Sequence, residues 1–336
     1  MSAFMGKADI SKLLTSTIWD GKIPQYDQDV SHFGTTMARA PTFRFHKIPS
    51  PKSEPYICIA GPDRRLWFCE SGASKIGALN VDAGTFEEFD IPGSHSMPIG
   101  ITPGADGNMW FCAKEKNKIG RITMNGEVTL FPVPTPSAGP DGTLVGPDGN
   151  VWFSESDAGQ IGRITPAGHI TEYRSGITVG SRPLSIAVRD GAIWFSEAAG
   201  NQIGRITIDG YVTEYPIPST DSQPRAMTLH PDGSIWFVQT NTNGLGRIDR
   251  DGSITEYPVG TPNASLRGVC VAPNGNLWFT ANAANKIGSM KPDGQVVGEY
   301  PIPVPNAGAR CIAPWPDGRL FFTAFDAGLI GEVNPQ

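Results

Sequence analysis

A Trp-Phe pair returns through the chain at a nearly fixed interval, as Trp67-Phe68, Trp110-Phe111, Trp152-Phe153, Trp194-Phe195, Trp236-Phe237 and Trp278-Phe279, with Phe321-Phe322 as a seventh member. Successive pairs stand 42 or 43 residues apart. Such a period marks a repeat architecture, in which one supersecondary unit cannot bury its apolar face alone and stacks on its neighbours. Each pair sits in the same setting: a short apolar strand, a turn, the aromatic strand, a strand reading Ile-Gly-Arg-Ile or similar, another turn, and a strand ending like Glu-Tyr-Pro-Ile-Pro. Asp106-Gly107, Asp148-Gly149, Asp232-Gly233, Asn274-Gly275 and Asp317-Gly318 close the first hairpin of their units, and Asn125-Gly126, Asp209-Gly210, Asp251-Gly252 and Asp293-Gly294 the last. These dipeptides supply the positive φ that tight hairpins demand.

Four short antiparallel strands in a unit of this length make a propeller blade. Seven units predict an all-β fold, a seven-bladed β-propeller of four-stranded antiparallel blades. The last unit is one strand short, because the chain stops at Gln336 just after Ile330-Gly331-Glu332-Val333. Thr42-Phe43-Arg44-Phe45-His46-Lys47-Ile48-Pro49 reads like Glu127–Pro134, the outer strand of the second unit. This N-terminal strand is therefore expected to pair with the C-terminal strands and close the ring, removing exposed sheet edges. The expected division is an N-terminal extension over 1–40, either a disordered tail or a segment packed on the propeller, and the propeller over 41–336.

Composition narrows the partners. Forty glycines and 30 prolines among 336 residues exceed the usual share and exclude a helical bundle. With 27 Lys and Arg against 33 Asp and Glu, the net charge of −6 offers no electrostatic footprint for nucleic acid or anionic lipid. No apolar run approaches the roughly 18 residues of a membrane span, and charges interrupt the first ten residues where a signal peptide needs an apolar stretch. A cytoplasmic protein with a small-molecule substrate is the expectation; oligomeric state has no sequence signal. The five cysteines, Cys58, Cys69, Cys112, Cys270 and Cys311, form no CxxC and have apolar flanks, so buried reduced thiols are expected.

In a blade the innermost strand starts, and the second strand ends, on one face of the disk. Residues at those places converge on the central channel. The inner-strand starts are Tyr56, Ile99, Asp141, Leu184, Arg225, Arg267 and Arg310; the positions after each aromatic pair and one spacer are Glu70, Ala113, Glu155, Glu197, Gln239, Ala281 and Ala324. Three arginines on consecutive blades stand out. Arg presents a rigid fork of donors suited to carboxylate, phosphate, enolate or carbonyl oxygen. Either Glu155, Glu197 and Asp141 neutralise them internally, or they clamp the oxygens of a ligand. The recurring Arg121, Arg163, Arg205 and Arg247 follow the repeat and belong to the scaffold. There is no HExxH, P-loop, GxSxG or zinc-type spacing; Asp249-Arg-Asp251-Gly252 sits at a hairpin turn, and His95 alone of the histidines could overhang the selected face.

The phrases Asp-Gly-x-Ile-Trp-Phe-x-Glu, Asn-x-Ile-Gly-Arg-Ile and Gly-x-Val-Thr-Glu-Tyr-Pro-Ile-Pro resemble those of the streptogramin B lyase (virginiamycin B lyase) family, over about 290 residues. The resemblance implies a propeller and, in the family, a magnesium-dependent, non-hydrolytic opening of a cyclic depsipeptide by histidines on the inner strands of the last two blades with nearby glutamates. Here those histidine positions are Arg267 and Arg310, and two carboxylate positions are Gly308 and Ala324. Arg stays protonated and cannot act as a general base, so streptogramin cleavage by that mechanism is not expected, and neither a metal nor any other cofactor is. Two function classes follow. One is a lyase-like or cyclase-like enzyme of specialised metabolism, with Arg225, Arg267 and Arg310 polarising oxygen atoms and Glu155 or Glu197 moving a proton. Tyr56, Glu70, Ile99, Asp141, Leu184 and Gln239 would line its substrate site. Propellers similar to streptogramin lyases also occur among biosynthetic cyclases that promote dehydration and hetero-Diels–Alder coupling. The other class is a non-catalytic ligand- or protein-binding propeller.

Overall fold

The computed structural model describes residues 40–335; the expectations for the N-terminal extension lie outside them. Seven four-stranded antiparallel sheets form the blades, six of them running in chain order from an inner strand to an outer one. The inner strands are Pro55–Ala60, Pro98–Pro103, Pro140–Val145, Pro183–Arg189, Pro224–Leu229, Leu266–Val271 and Ala309–Pro314. Each contacts the inner strand of the blade on either side, and the last returns to the first. Seven strands touching in a closed cycle are those that surround the axis.

The seventh blade takes its outer strand from the N-terminal side. Thr42–Lys47 lies antiparallel to Leu329–Asn334, with Thr42 opposite Asn334, His46 opposite Ile330 and Lys47 opposite Leu329. Ring closure by an N-terminal strand therefore stands as the sequence predicts.

The repeat phrases have local causes. In every blade the Phe of the aromatic pair lies over the Gly of the Ile-Gly phrase on the third strand, where an added Cβ would come within 2.1–2.2 Å of the ring. A methyl group there would displace a buried ring. Each Trp stacks on the aromatic residue of its own outer strand (Phe89, Phe131, Tyr173, Tyr215, Tyr257 or Tyr300) with ring centroids 5.1–5.9 Å apart. That is the role of the Tyr in Glu-Tyr-Pro. The core lies between blades: Trp67 and Ile76 of the first pack with Ile101, Met109 and Phe111 of the second. Arg121, Arg163 and Arg247 sit over the tryptophans of their blades and face Asp106, Asp148 and Asp232 at 3.4–4.0 Å, a scaffold contact. Asp249 pairs with Arg247 and Asp251 accepts from Ser253, as a turn requires. Among the described residues no helix is long and apolar enough to cross a membrane.

Asparagine opens the Asn-x-Ile-Gly phrase because its side chain ties down the chain leading to the next blade. Asn117, for example, has φ +52°, donates through Nδ2 to the Thr135 carbonyl and accepts the Ala138 N–H at Oδ1. Asn201, Asn243 and Asn285 repeat this pattern with Ser222, Ala264 and Ala307. Each bond fixes the chain just ahead of an inner strand, where the site residues begin.

Candidate functional site

The channel positions are created by a backbone device present in all seven blades. Two residues ahead of each stands a residue with φ between +44° and +66°: Glu54, Met97, Gly139, Arg182, Gln223, Ser265 and Gly308. The next residue pairs with the end of the second strand, as Pro224 does with Gln239, and the register then slips by one. Tyr56, Ile99, Asp141, Leu184, Arg225, Arg267 and Arg310 all sit in these bulges. A bulge leaves a residue out of the ladder and re-aims its side chain, here off the inner strand.

Arg225, Arg267 and Arg310 occupy adjacent inner strands, and none of them has a carboxylate oxygen within 4.0 Å among the described residues. Burial, with the like charge of Arg267, pulls the Arg225 guanidinium below its ordinary range; burial and Arg310 do the same to Arg267. The Nη2 of Arg225 has a 3.4 Å contact with Gln223 Oε1, while its buried Nε has no partner among the described residues. Arg310 lies against two rings, its guanidinium carbon 3.5 Å from the Phe325 centroid and 5.0 Å from that of Tyr56. Such contacts attract the cation without using up its donors. Two threonines hold this arc in register. Thr280 Oγ1 accepts the Gly268 N–H at 2.8 Å and donates to the Arg310 carbonyl at 2.9 Å. Thr323 Oγ1 accepts the Cys311 N–H at 3.0 Å and donates to the Tyr56 carbonyl at 2.8 Å.

On the third blade, across the ring from this arc, Asp141 is bound by Lys114 at 2.9 Å, and Lys114 also donates to Ser156 Oγ at 2.7 Å. Buried Ile99 and Leu184 flank it on the neighbouring blades. Among the described residues the ring thus has three arginines on one side with no carboxylate in ion-pair contact, and on the other aliphatic residues around one carboxylate paired to Lys114.

The second set of sequence-selected residues lies elsewhere. Glu70, Glu155, Glu197 and Gln239 are inside their blades, at most 1% exposed. Glu155 Oε2 accepts from Gln160 Nε2 at 2.7 Å, and Glu197 Oε2 from Gln202 at 3.1 Å; Gln239 donates to Glu256. Each faces a glutamate of its own outer strand. Burial and the neighbour Glu88 push Glu70 up to about 8; burial and Glu172 push Glu155 up to about 8; burial and Glu214 push Glu197 up to about 7. Those outer glutamates serve as acceptors: Glu172, for instance, takes the Thr135 N–H at 2.9 Å and its hydroxyl at 3.0 Å. In each pair the inner carboxyl is therefore the one that binds a proton more readily. Structure and sequence differ here by one residue, because successive side chains of a strand point to opposite faces. The next residue reaches the neighbouring blade instead, as Lys114 reaches Asp141, Thr240 the Leu266 carbonyl, Asn282 the Ala309 carbonyl and Phe325 the Tyr56 ring. Sequence reasoning did not select Lys114 and Phe325, though their departure from the small residues Ser71, Ser156, Ala198, Thr240 and Asn282 of the other repeats was the available signal. His95 stands exposed with φ +56°.

The metal implied by the resemblance does not fit these residues. Ala324 is buried and has no donor, and Gly308 has φ +66° with the Asp326 carboxylate 2.2 Å from where a Cβ would stand, so any side chain there would be strained and would have to displace Asp326. Among the described residues no group of three or more His, Cys, Asp or Glu could hold an ion, and guanidinium groups occupy the flanking positions. A hard dication needs oxygen ligands.

Fold and site together define a seven-bladed propeller with three arginines on adjacent inner strands. The chain belongs to the virginiamycin B lyase family, whose pattern it matches over residues 26–188 and 176–336. A solved streptogramin B lyase is 33% identical, with a TM-score of 0.85 over 90% of this chain and 100% of that one. The virginiamycin B lyase of Staphylococcus aureus is 33% identical, with a TM-score of 0.83 over 88% and 99%. A catalytically inactive variant of that enzyme, solved with quinupristin, gives 34% and 0.83 over the same shares. No curated protein matches the chain.

Proposed function

We propose that the chain is a small-molecule enzyme of cyclase-like or lyase-like type, in which Arg225, Arg267 and Arg310 grip and polarise the oxygen-rich end of the substrate. The observation that carries this reading is the set of three guanidinium groups on adjacent inner strands without a carboxylate partner among the described residues. Donors aimed at an oxygen that gains charge lower the barrier most in a site shielded from water. Ile99 and Leu184 offer the apolar side, the usual composition of a small-molecule pocket.

The carboxyls favour the cyclase branch. Asp141 is committed to Lys114, and Glu155 and Glu197 are enclosed in their blades. An elimination, loss of water included, needs a group at the substrate to take a proton, whereas hetero-Diels–Alder closure moves no proton and is assisted by polarising oxygen; the preference for the cyclase branch rests on that closing step. The same arrangement also supports the second reading, a binding propeller without catalysis, and turnover separates the two.

The test uses tropolone and benzoate as probes in calorimetric titrations of the native chain, Arg267→Ala and Arg310→Ala, with melting followed in parallel. A charge-assisted hydrogen bond contributes about 1.5–3 kcal/mol, so each variant should bind roughly tenfold to a hundredfold more weakly while its Tm stays put. Equal affinities in all three proteins would remove the clamp.

A further inference from the structure

Two thiols meet at the seam where the ring closes. Cys58 is on the inner strand of the first blade and Cys311 on that of the seventh, yet their Sγ atoms are 4.0 Å apart across a sequence separation of 253. Cys311 Sγ is also 3.6 Å from the Cys58 carbonyl. The Thr323 hydroxyl, bound to the Cys311 N–H and the Tyr56 carbonyl, clamps the two strands together at this level. The two residues differ in exposure: Cys58 is buried, whereas Cys311 shares the bulge of Arg310 and is partly exposed, with its sulfur turned inward toward Cys58. Cys69, Cys112 and Cys270 are buried.

We propose that Cys58 and Cys311 are a redox-active dithiol, which an oxidant of the peroxide class converts to a disulfide joining the seventh blade to the first. The Cys311 thiolate attacks one peroxide oxygen, the O–O bond breaks and hydroxide leaves, giving a sulfenic acid. The Cys58 sulfur then displaces the sulfenic oxygen. Its proton and the oxygen leave as water, and the S–S bond forms. Two thiols are oxidised, and one peroxide is reduced to two waters. The thiol of Cys58, donating to the Cys311 sulfur, holds Cys311 below its ordinary range and is itself pushed up, which fits Cys311 as the attacking group and Cys58 as the resolving one. The sulfurs must close from 4.0 Å to about 2 Å. The disulfide adds a covalent link to a ring otherwise closed by the strand Thr42–Lys47, one residue from Arg310. It does not depend on what the arginines bind.

The experiment treats the full chain with hydrogen peroxide, unfolds it in an alkylating agent, and maps the peptides by mass spectrometry. A Cys58–Cys311 cross-link lighter by two hydrogens, reversed by a thiol reductant, is expected, with Cys69, Cys112 and Cys270 all alkylated. Oxidation should raise Tm by about 5 °C, as expected for constraining so long a loop in the unfolded chain. Alkylation of both Cys58 and Cys311 after excess peroxide would overturn the proposal, as would a cross-link to Cys270. In Cys58→Ser, peroxide should carry Cys311 to the sulfinic acid without a cross-link. An unmodified Cys311 in that variant would contradict its role as attacker.

Discussion

Glu155 and Gln239 occupy equivalent places on blades three and five, and comparing them shows what the buried carboxyls do. Gln239 meets Glu256 with an amide, while Glu155 meets Glu172 with a carboxyl whose affinity for a proton burial and Glu172 raise. Glu70, Glu155 and Glu197 are raised from 4.5 in the folded chain to about 8, 8 and 7, by burial first and by their partners Glu88, Glu172 and Glu214 next. A folded pKa above the unfolded one means that the folded chain binds more protons between the two values. The stability these groups give is fully present below about pH 4.5 and is lost as pH rises through 7 to 8. Urea denaturation at a series of pH values should show that decline. Glu155→Gln, copying blade five, should remove on the order of 2 kcal/mol of the drop between pH 5 and 9; an unchanged pH slope would show that Glu155 is ionised in the folded state. The aromatic pairs, the turns and the arginines were legible in single residues. The direction of Glu155 was not, because a strand's two faces cannot be told apart at its last residue without the register.

At the scale of the element, the bulge at the start of every inner strand takes Tyr56, Ile99, Asp141, Leu184, Arg225, Arg267 and Arg310 out of the ladder. The strands themselves could be read from the turn dipeptides and the aromatic period. The bulges could not, since the positive φ falls on residues as different as Glu54, Met97, Arg182 and Gln223, none of which marks a bulge by its type. The threonine bridges show how neighbouring elements share the work. In Thr280→Val the Gly268 N–H and the Arg310 carbonyl lose a common partner, which should cost about 1–3 kcal/mol in chemical denaturation. Because Arg310 is positioned by that carbonyl, benzoate affinity should fall as well, and Thr280→Ser should restore both. A valine variant as stable as the native chain would show that water replaces the hydroxyl without loss.

For the whole molecule, closure of the ring makes the seven adjacent inner strands possible and brings residues from both ends of the sequence together. The closing strand Thr42–Lys47 covers an edge of Leu329–Asn334 that would otherwise be free to pair with other chains. Deleting residues 1–49 should abolish the cooperative melt, whereas a soluble truncated chain melting as before would contradict closure by this strand. The seven-fold period made this architecture legible from end to end, but the sequence alone left open whether the arginines are neutralised from within. The central claim is that the arc of blades five to seven binds the oxygen end of a small molecule. A crystal structure of the native chain soaked with tropolone tests it directly. The account predicts ligand oxygens about 2.7–2.9 Å from guanidinium nitrogens of Arg225, Arg267 or Arg310, with the ring toward Ile99 and Leu184. Ligand seated elsewhere on the propeller, with the three arginines turned to protein carboxylates, would contradict it.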